Sequence, residues 1–160
     1  MSSMLAALVC VATMIIKIPS PLEGYINLGD CIVLLSAWVL SPGYGFLAAG
    51  LGSALADLFS GYGAYVPATF VIKGLMALAA YASYALLSKC SKGLLARILS
   101  GIIAELIMIL GYFIFEGLIY GFAPSLVNIP ANAVQGVAGV VVGVLLITLF
   151  EKQNLTKLFK

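Results

Sequence analysis

Asp57 and Lys73 lie in apolar stretches on either side of a short turn, Ser60-Gly61-Tyr62-Gly63-Ala64-Tyr65-Val66-Pro67. A charge near the middle of a bilayer costs about 2.5–3.5 kcal/mol on insertion scales, so such a residue faces a protein interior or a wet cavity and often pairs. The turn returns both flanking helices to one membrane face. At ~1.5 Å rise per residue, Asp57 then sits about one turn and Lys73 about two turns below it. Both are predicted to face one cavity, paired with each other or with a ligand.

More polar groups recur in otherwise apolar segments: Glu105, Tyr112 and Glu116 in one, and Asn128, Asn132 and Gln135 in the next. Asn128, Asn132, Gln135, Gly139 and Gly143 are spaced to form a single helical stripe. Any one of these residues can serve as helix–helix glue worth about 0.6–2 kcal/mol. Independent glue has no reason to gather in one leaflet, whereas a polar cavity does.

The elements that must carry these groups follow from composition. Apolar residues make up 63% of the 160 residues and charged ones 9%, with a mean hydropathy of +1.18. A soluble domain has about 45–50% apolar and 25% charged residues, so this is an integral membrane protein. At about 20 residues per span the chain has room for five or six helices and almost nothing else. The expected architecture is all-α: a single membrane-embedded domain over residues 1–160, with six transmembrane helices and short loops.

The helices are predicted over 3–18, 29–40, 44–59, 67–87, 94–120 and 126–150. The first ends where Pro19 and Pro21 forbid continuation. Pro67 suits the first turn of the fourth. Gly45, Ala49, Ser53 and Asp57 recur every four residues and give the third helix a face that a neighbour can approach closely. The second, with Asp30 in its first turn, is short for a full span.

Six of the eight Lys and Arg, namely Lys89, Lys92, Arg97, Lys152, Lys157 and Lys160, fall at one face. By the positive-inside rule that face is cytoplasmic, so both termini are expected inside. Lys17, Glu23, Asn27 and Asp30 then join Asp57, Lys73, Tyr112, Glu116, Asn128, Asn132 and Gln135 in the outer half, and Glu105 alone lies near mid-depth. Trp38 and Tyr44, at the inner end, are expected in the aromatic belt.

The chain has no His, and its three cysteines form no C-x-x-C. Most His-dependent nucleophilic and metal mechanisms are thereby excluded, and no catalytic residue, metal or cofactor is predicted. A net charge of +2 argues for no nucleic-acid partner. A channel would need polarity through the inner half, which offers mostly Ala, Gly, Leu and Val. A small channel acting without partners is the alternative to a binding protein.

The first-loop run Gly24-Tyr25-Ile26-Asn27-Leu28-Gly29-Asp30, the small-residue run Gly52-Ser53-Ala54-Leu55-Ala56-Asp57 and the helix starts at 67–74 and 128–135 resemble the substrate-binding S components of energy-coupling factor (ECF) vitamin transporters. The resemblance implies a subunit in a prokaryotic plasma membrane that captures a vitamin from outside, then docks on a transmembrane T subunit and two cytoplasmic ATPases. The gathering of polar residues in the outer half predicts Asp57, Lys73, Asn128, Asn132 and Gln135 in the pocket, Tyr112 and Glu116 on its wall, and Tyr25, Asn27 and Tyr65 in loops that close over it. Pyridoxine- or hydroxymethylpyrimidine-like cargo is expected first and riboflavin second. The family's small-residue docking motif on the first helix has its nearest counterpart at Ala6 and Cys10, with Ala7 on the adjacent face.

Overall fold

The computed structural model describes residues 1–20 and 24–153. Its helices are α1 (Ser2–Ile15), α2 (Gly29–Val39), α3 (Pro42–Phe59), α4 (Val66–Leu87), α5 (Gly93–Tyr120), α6 (Phe122–Ser125) and α7 (Ile129–Lys152). A 3-10 turn over Leu126–Asn128 joins the last two. Proline stands in the first turn of α3, α4 and α7, where its missing N–H costs nothing.

The short α2 is the axis of the bundle. It packs on α1, α3, α4 and α7, and its residues from Gly29 to Ala37 are nearly all buried. Buried on nearly every side, and carrying Asp30 and Ser36 among its buried residues, α2 is enclosed by the other helices and presents little to lipid. Val33 and Leu34 of α2 meet Val9 of α1, Ala49 of α3, Met76 of α4, Met108 of α5 and Val140 of α7 in one core. Leu55, Leu106, Val137 and Leu145 point outward, as lipid-facing residues of a membrane bundle do.

Close approach between α1 and α3 depends on Gly52. A Cβ there would strike the Ala6 carbonyl oxygen and come within 2.7 Å of Val9 Cβ. This contact settles how α1 is turned. Cys10 is buried and Ala6 half-buried against the bundle, whereas Ala7, the third docking candidate, is exposed.

Two further expectations change. The first helix stops at Ile15, and Lys17–Pro19 forms a strand, β1, paired antiparallel with β2 (Tyr25–Asn27). The fold is therefore a helical bundle capped at one end by a two-stranded hairpin. Three stretches are long and apolar enough to cross a membrane, Val66–Leu87, Gly93–Tyr120 and Phe122–Lys152. At ~1.5 Å per residue, the 14 residues of α1 and 11 of α2 fall short of a ~30 Å hydrocarbon core. Trp38 is half-buried and donates its indole N–H to Ser100 Oγ at 3.1 Å, so it packs within the bundle; Tyr44 is exposed. Glu23, Lys157 and Lys160 lie outside the described residues.

Candidate functional site

At the hairpin end, strand β2, the α3–α4 turn, α5 and α7 converge on a small polar cavity. Tyr25, Asn27, Asp57, Tyr65, Tyr112, Glu116, Asn132 and Gln135 line it, together with Ser20, Gly24, Tyr62 and Thr69. Eight of the ten predicted binding residues are thus brought together. Lys73 and Asn128 are buried immediately behind this lining.

The hairpin reaches the cavity because β2 is fastened to two helices. Tyr25 donates its phenolic hydroxyl to Asp57 Oδ1 at 2.6 Å, and the Asn27 backbone N–H donates to Gln135 Oε1 at 2.8 Å. Burial, and then the neighbouring Asp57 carboxylate, push the Tyr25 phenol up from its ordinary range, so it stays a neutral donor. Asn27 also accepts from the Gly29 N–H at 2.8 Å, which holds the strand's end against the start of α2. Lys17 Nζ donates to Ser60 Oγ at 2.8 Å and ties the other strand to the α3–α4 turn.

The charges pair differently from the expectation built on the turn. Lys73 forms its ion pair with Asp30 of α2, not with Asp57, and both partners are fully enclosed. The second Asp30 oxygen accepts from Gln135 Nε2 at 2.6 Å. Asp57 instead has Tyr25. Lys73 therefore acts on the cavity through its neighbours, through Asp30 on Gln135 and across 5.6 Å on the ring of the lining residue Tyr112. Asp30 was visible in the sequence as an acidic residue in a first helical turn, where the helix dipole alone is reason enough for it.

On the opposite wall, Asn128 Nδ2 donates to Glu116 Oε1 at 2.9 Å, and the Tyr65 hydroxyl lies 3.5 Å from the same oxygen. Thr69 Oγ1 and the Tyr112 hydroxyl are 3.1 Å apart. Glu116 Oε2 and Asn128 Oδ1 are buried acceptors with no hydrogen-bond partner among the described residues. Buried acceptors of this kind cost free energy until a donor reaches them. Rings stand between the polar groups: Tyr25 and Tyr62 lie 4.8 Å apart and tilted, and Tyr65 meets Phe115 edge-on at 5.2 Å. The cavity volume is about 30 Å³, room for a water or two.

This collection suits non-covalent binding. It offers carboxylate and amide acceptors, phenolic donors and aromatic faces. Among the described residues no group of three or more His, Cys, Asp and Glu is arranged to hold a metal ion.

Glu105, expected near mid-depth, lies off this cavity. It is buried with both carboxyl oxygens unpartnered, fitted beside Gly136 and Gly139 of α7. A Cβ on Gly139 would come within 2.6 Å of Glu105 Oε1 and 2.9 Å of Asp30 Cβ, so the glycine is what lets the two acidic side chains approach α7.

A helical membrane bundle with a capped polar cavity at one end is the architecture of a membrane-embedded capture protein, and the comparisons agree. The chain matches, over residues 1–152, the family described as the ECF-type riboflavin transporter S component, and it belongs to that family. A solved chain described under "Structure and mechanism of the S component of a bacterial ECF transporter" superposes with a TM-score of 0.75 at 27% identity, covering 94% of this chain and 93% of that one. A Pyrococcus woesei protein, described as an uncharacterized protein in the gap 3' region, is 35% identical over 139 residues, 84% of this chain and 88% of the relative. The protein is thus a vitamin-type substrate-capture subunit of the ECF class, with a role in transport.

Proposed function

We propose that this protein captures riboflavin or a closely similar flavin from outside a prokaryotic plasma membrane and hands it to a T subunit driven by two cytoplasmic ATPases. The reading rests on one observation above the others: an aromatic-lined cavity at the hairpin end that carries carboxylate, amide and phenolic groups together, with the buried Glu116 Oε2 unpartnered among the described residues. A flavin brings a flat ring system with a ring N–H and a chain of hydroxyls. It supplies stacking surface and several donors at once. Pyridoxine and hydroxymethylpyrimidine offer a smaller ring and fewer polar groups to this lining, so the family description and the aromatic lining together move riboflavin ahead of the cargoes first favoured.

In this reading the hairpin end faces outward, α1 to α5 and α7 make six crossings with the bilayer thinned beside α1 and with the short α2 enclosed by its neighbours, both termini lie inside, and the basic end faces the cytoplasm. A cavity of about 30 Å³ is too small for a vitamin, so the Tyr25 and Tyr62 rings rotate outward as cargo enters. Docking of the T subunit uses the exposed line Ser3, Ala7 and Val11 of α1, where small side chains at the first two positions allow close helix approach.

The test is mass spectrometry of ligand that co-purifies with the chain, followed by titration of the stripped protein with riboflavin, pyridoxine and hydroxymethylpyrimidine. Tight binding of riboflavin with quenching of its fluorescence is expected. Preference for either smaller vitamin would overturn the substrate. Ion flux through liposomes holding this chain alone would overturn the capture role.

A further inference from the structure

We propose that Asp30 is a positioning residue of the site: by holding the Gln135 amide in one orientation it decides which atoms of Gln135 the cargo meets. The inference rests on the capture role proposed above. Asp30 is fully buried and lines no part of the cavity, so it cannot touch cargo itself. Its two carboxylate oxygens are divided between two helices. One pairs with Lys73 of α4, and the other accepts from Gln135 Nε2 of α7 at 2.6 Å.

Gln135 does line the cavity, and its amide has two distinguishable ends. The nitrogen end is committed to Asp30, and the oxygen end accepts the Asn27 backbone N–H of β2 at 2.8 Å. Rotating the amide by half a turn would set its oxygen against a carboxylate and its NH₂ against a backbone N–H. Both contacts would then be repulsive, so a carboxylate at position 30 permits one orientation only. The same amide carries the arrangement to the hairpin, since Asn27 also accepts from Gly29, the residue before Asp30. Lys73 keeps Asp30 in place as its counter-ion, and Gly139 gives the Asp30 side chain its space. Glu105, on the other side of Gly139, has both oxygens unpartnered and takes no part in the relay.

A buried charge pair removed as a unit leaves no lone ion behind, and this permits a test that separates positioning from charge pairing. Asp30→Asn/Lys73→Met and Asp30→Ala/Lys73→Met are both free of the pair. Only the first keeps an oxygen at position 30 to accept from Gln135. Positioning predicts that the alanine version binds riboflavin about tenfold or more weakly than the asparagine version. It also predicts faster hydrogen exchange at the Asn27 backbone amide in the ligand-free alanine version. Equal affinities and equal Asn27 exchange in the two versions would reduce Asp30 to a structural counter-ion and overturn the proposal.

If neither version folds, the wild-type protein still decides. The Gln135 side-chain amide protons are expected to be slowed in exchange without any ligand, and fast exchange there would overturn the proposal. These ligand-free readouts stand apart from the capture role, whose own failure is absence of riboflavin binding by the wild-type chain.

Discussion

Tyr25 of the hairpin and Asp57 of α3 are joined by a 2.6 Å hydrogen bond across 32 positions of sequence, and this bond places a loop residue at the mouth of a membrane-buried cavity. A phenol donating to a carboxylate is a charge-assisted contact, shorter and stronger than a neutral one. Removing Tyr25 strips the buried Asp57 of a donor, and removing Asp57 strips the half-buried Tyr25 of its acceptor, each at a cost of about 1–3 kcal/mol. Tyr25→Phe and Asp57→Leu are each expected to destabilise by that amount, with the double variant costing less than their sum by about 0.5–3 kcal/mol. Chemical unfolding in detergent measures the cycle, and strict additivity would mean that the pair is not coupled.

The cavity lining predicts where affinity resides. Gln135 and Asn132 both face the cargo space from α7. Losing one buried hydrogen-bond partner costs about 1–3 kcal/mol, so Gln135→Ala and Asn132→Ala should each weaken riboflavin binding roughly ten- to a hundredfold. Calorimetry on folded variants is the measurement. Unchanged affinity in Asp57→Ala, Asn132→Ala and Gln135→Ala together would return the polar stripe to the status of helix glue.

Lys73 should behave differently, because it stands behind the lining in a pair with Asp30. Breaking a buried ion pair by deleting one member costs about 3–5 kcal/mol, since the remaining charge is left uncompensated. Lys73→Ala is therefore expected to show its main effect in stability, as a lower unfolding midpoint before any ligand is added. A variant of wild-type stability with lost binding would put the ammonium in the cavity instead.

The sequence makes the polar end of the bundle legible because a charged or amide side chain in an apolar segment is costly and needs a reason. Asp57, Glu116 and Gln135 stand out on that ground, and Pro67 marks a helix start that the structure keeps. What escapes is what long-range packing decides. The turn between α3 and α4 makes Asp57 the natural partner of Lys73, but α2 packs directly on α4 and brings Asp30 to the ammonium instead. Three-residue strands are too short to leave a periodic signal, so Lys17–Pro19 reads as the end of a helix. Small residues occur on more than one side of α1, and only the fit of Gly52 against Ala6 and Val9 says which side faces in.

Arg97 illustrates a charge read for topology that also has a structural role. Its guanidinium lies 4.9 Å from the Tyr84 ring centre and 5.7 Å from that of Trp38, and it pairs with Glu151. A lysine keeps the charge and loses the planar stacking, worth about 0.5–2 kcal/mol. Arg97→Lys is expected to lower stability by about that much. Riboflavin affinity should be unaltered, because Arg97 and the cavity residue Tyr112 are separated by about 22 Å along α5 at ~1.5 Å per residue. A changed affinity in calorimetry would reveal coupling between the two ends.

The orientation of α1 leads to the last prediction, which concerns the partner. Ser3, Ala7 and Val11 are exposed along one line of α1, while Cys10 is turned inward and Ala6 packs against Gly52. Helices associate in a bilayer largely through close van der Waals packing, which a large side chain on a small-residue face prevents. Ala7→Trp should therefore abolish co-purification with the T subunit and ATPases while leaving the riboflavin affinity of the isolated chain unchanged. Cys10→Trp should act otherwise: it overfills the bundle, costs about 1–3 kcal/mol of stability, and affects docking only as far as the fold is lost. Intact complexes and full uptake from Ala7→Trp would exclude this face. Loss of docking from a Cys10→Trp protein of wild-type stability would move the interface to the other side of α1.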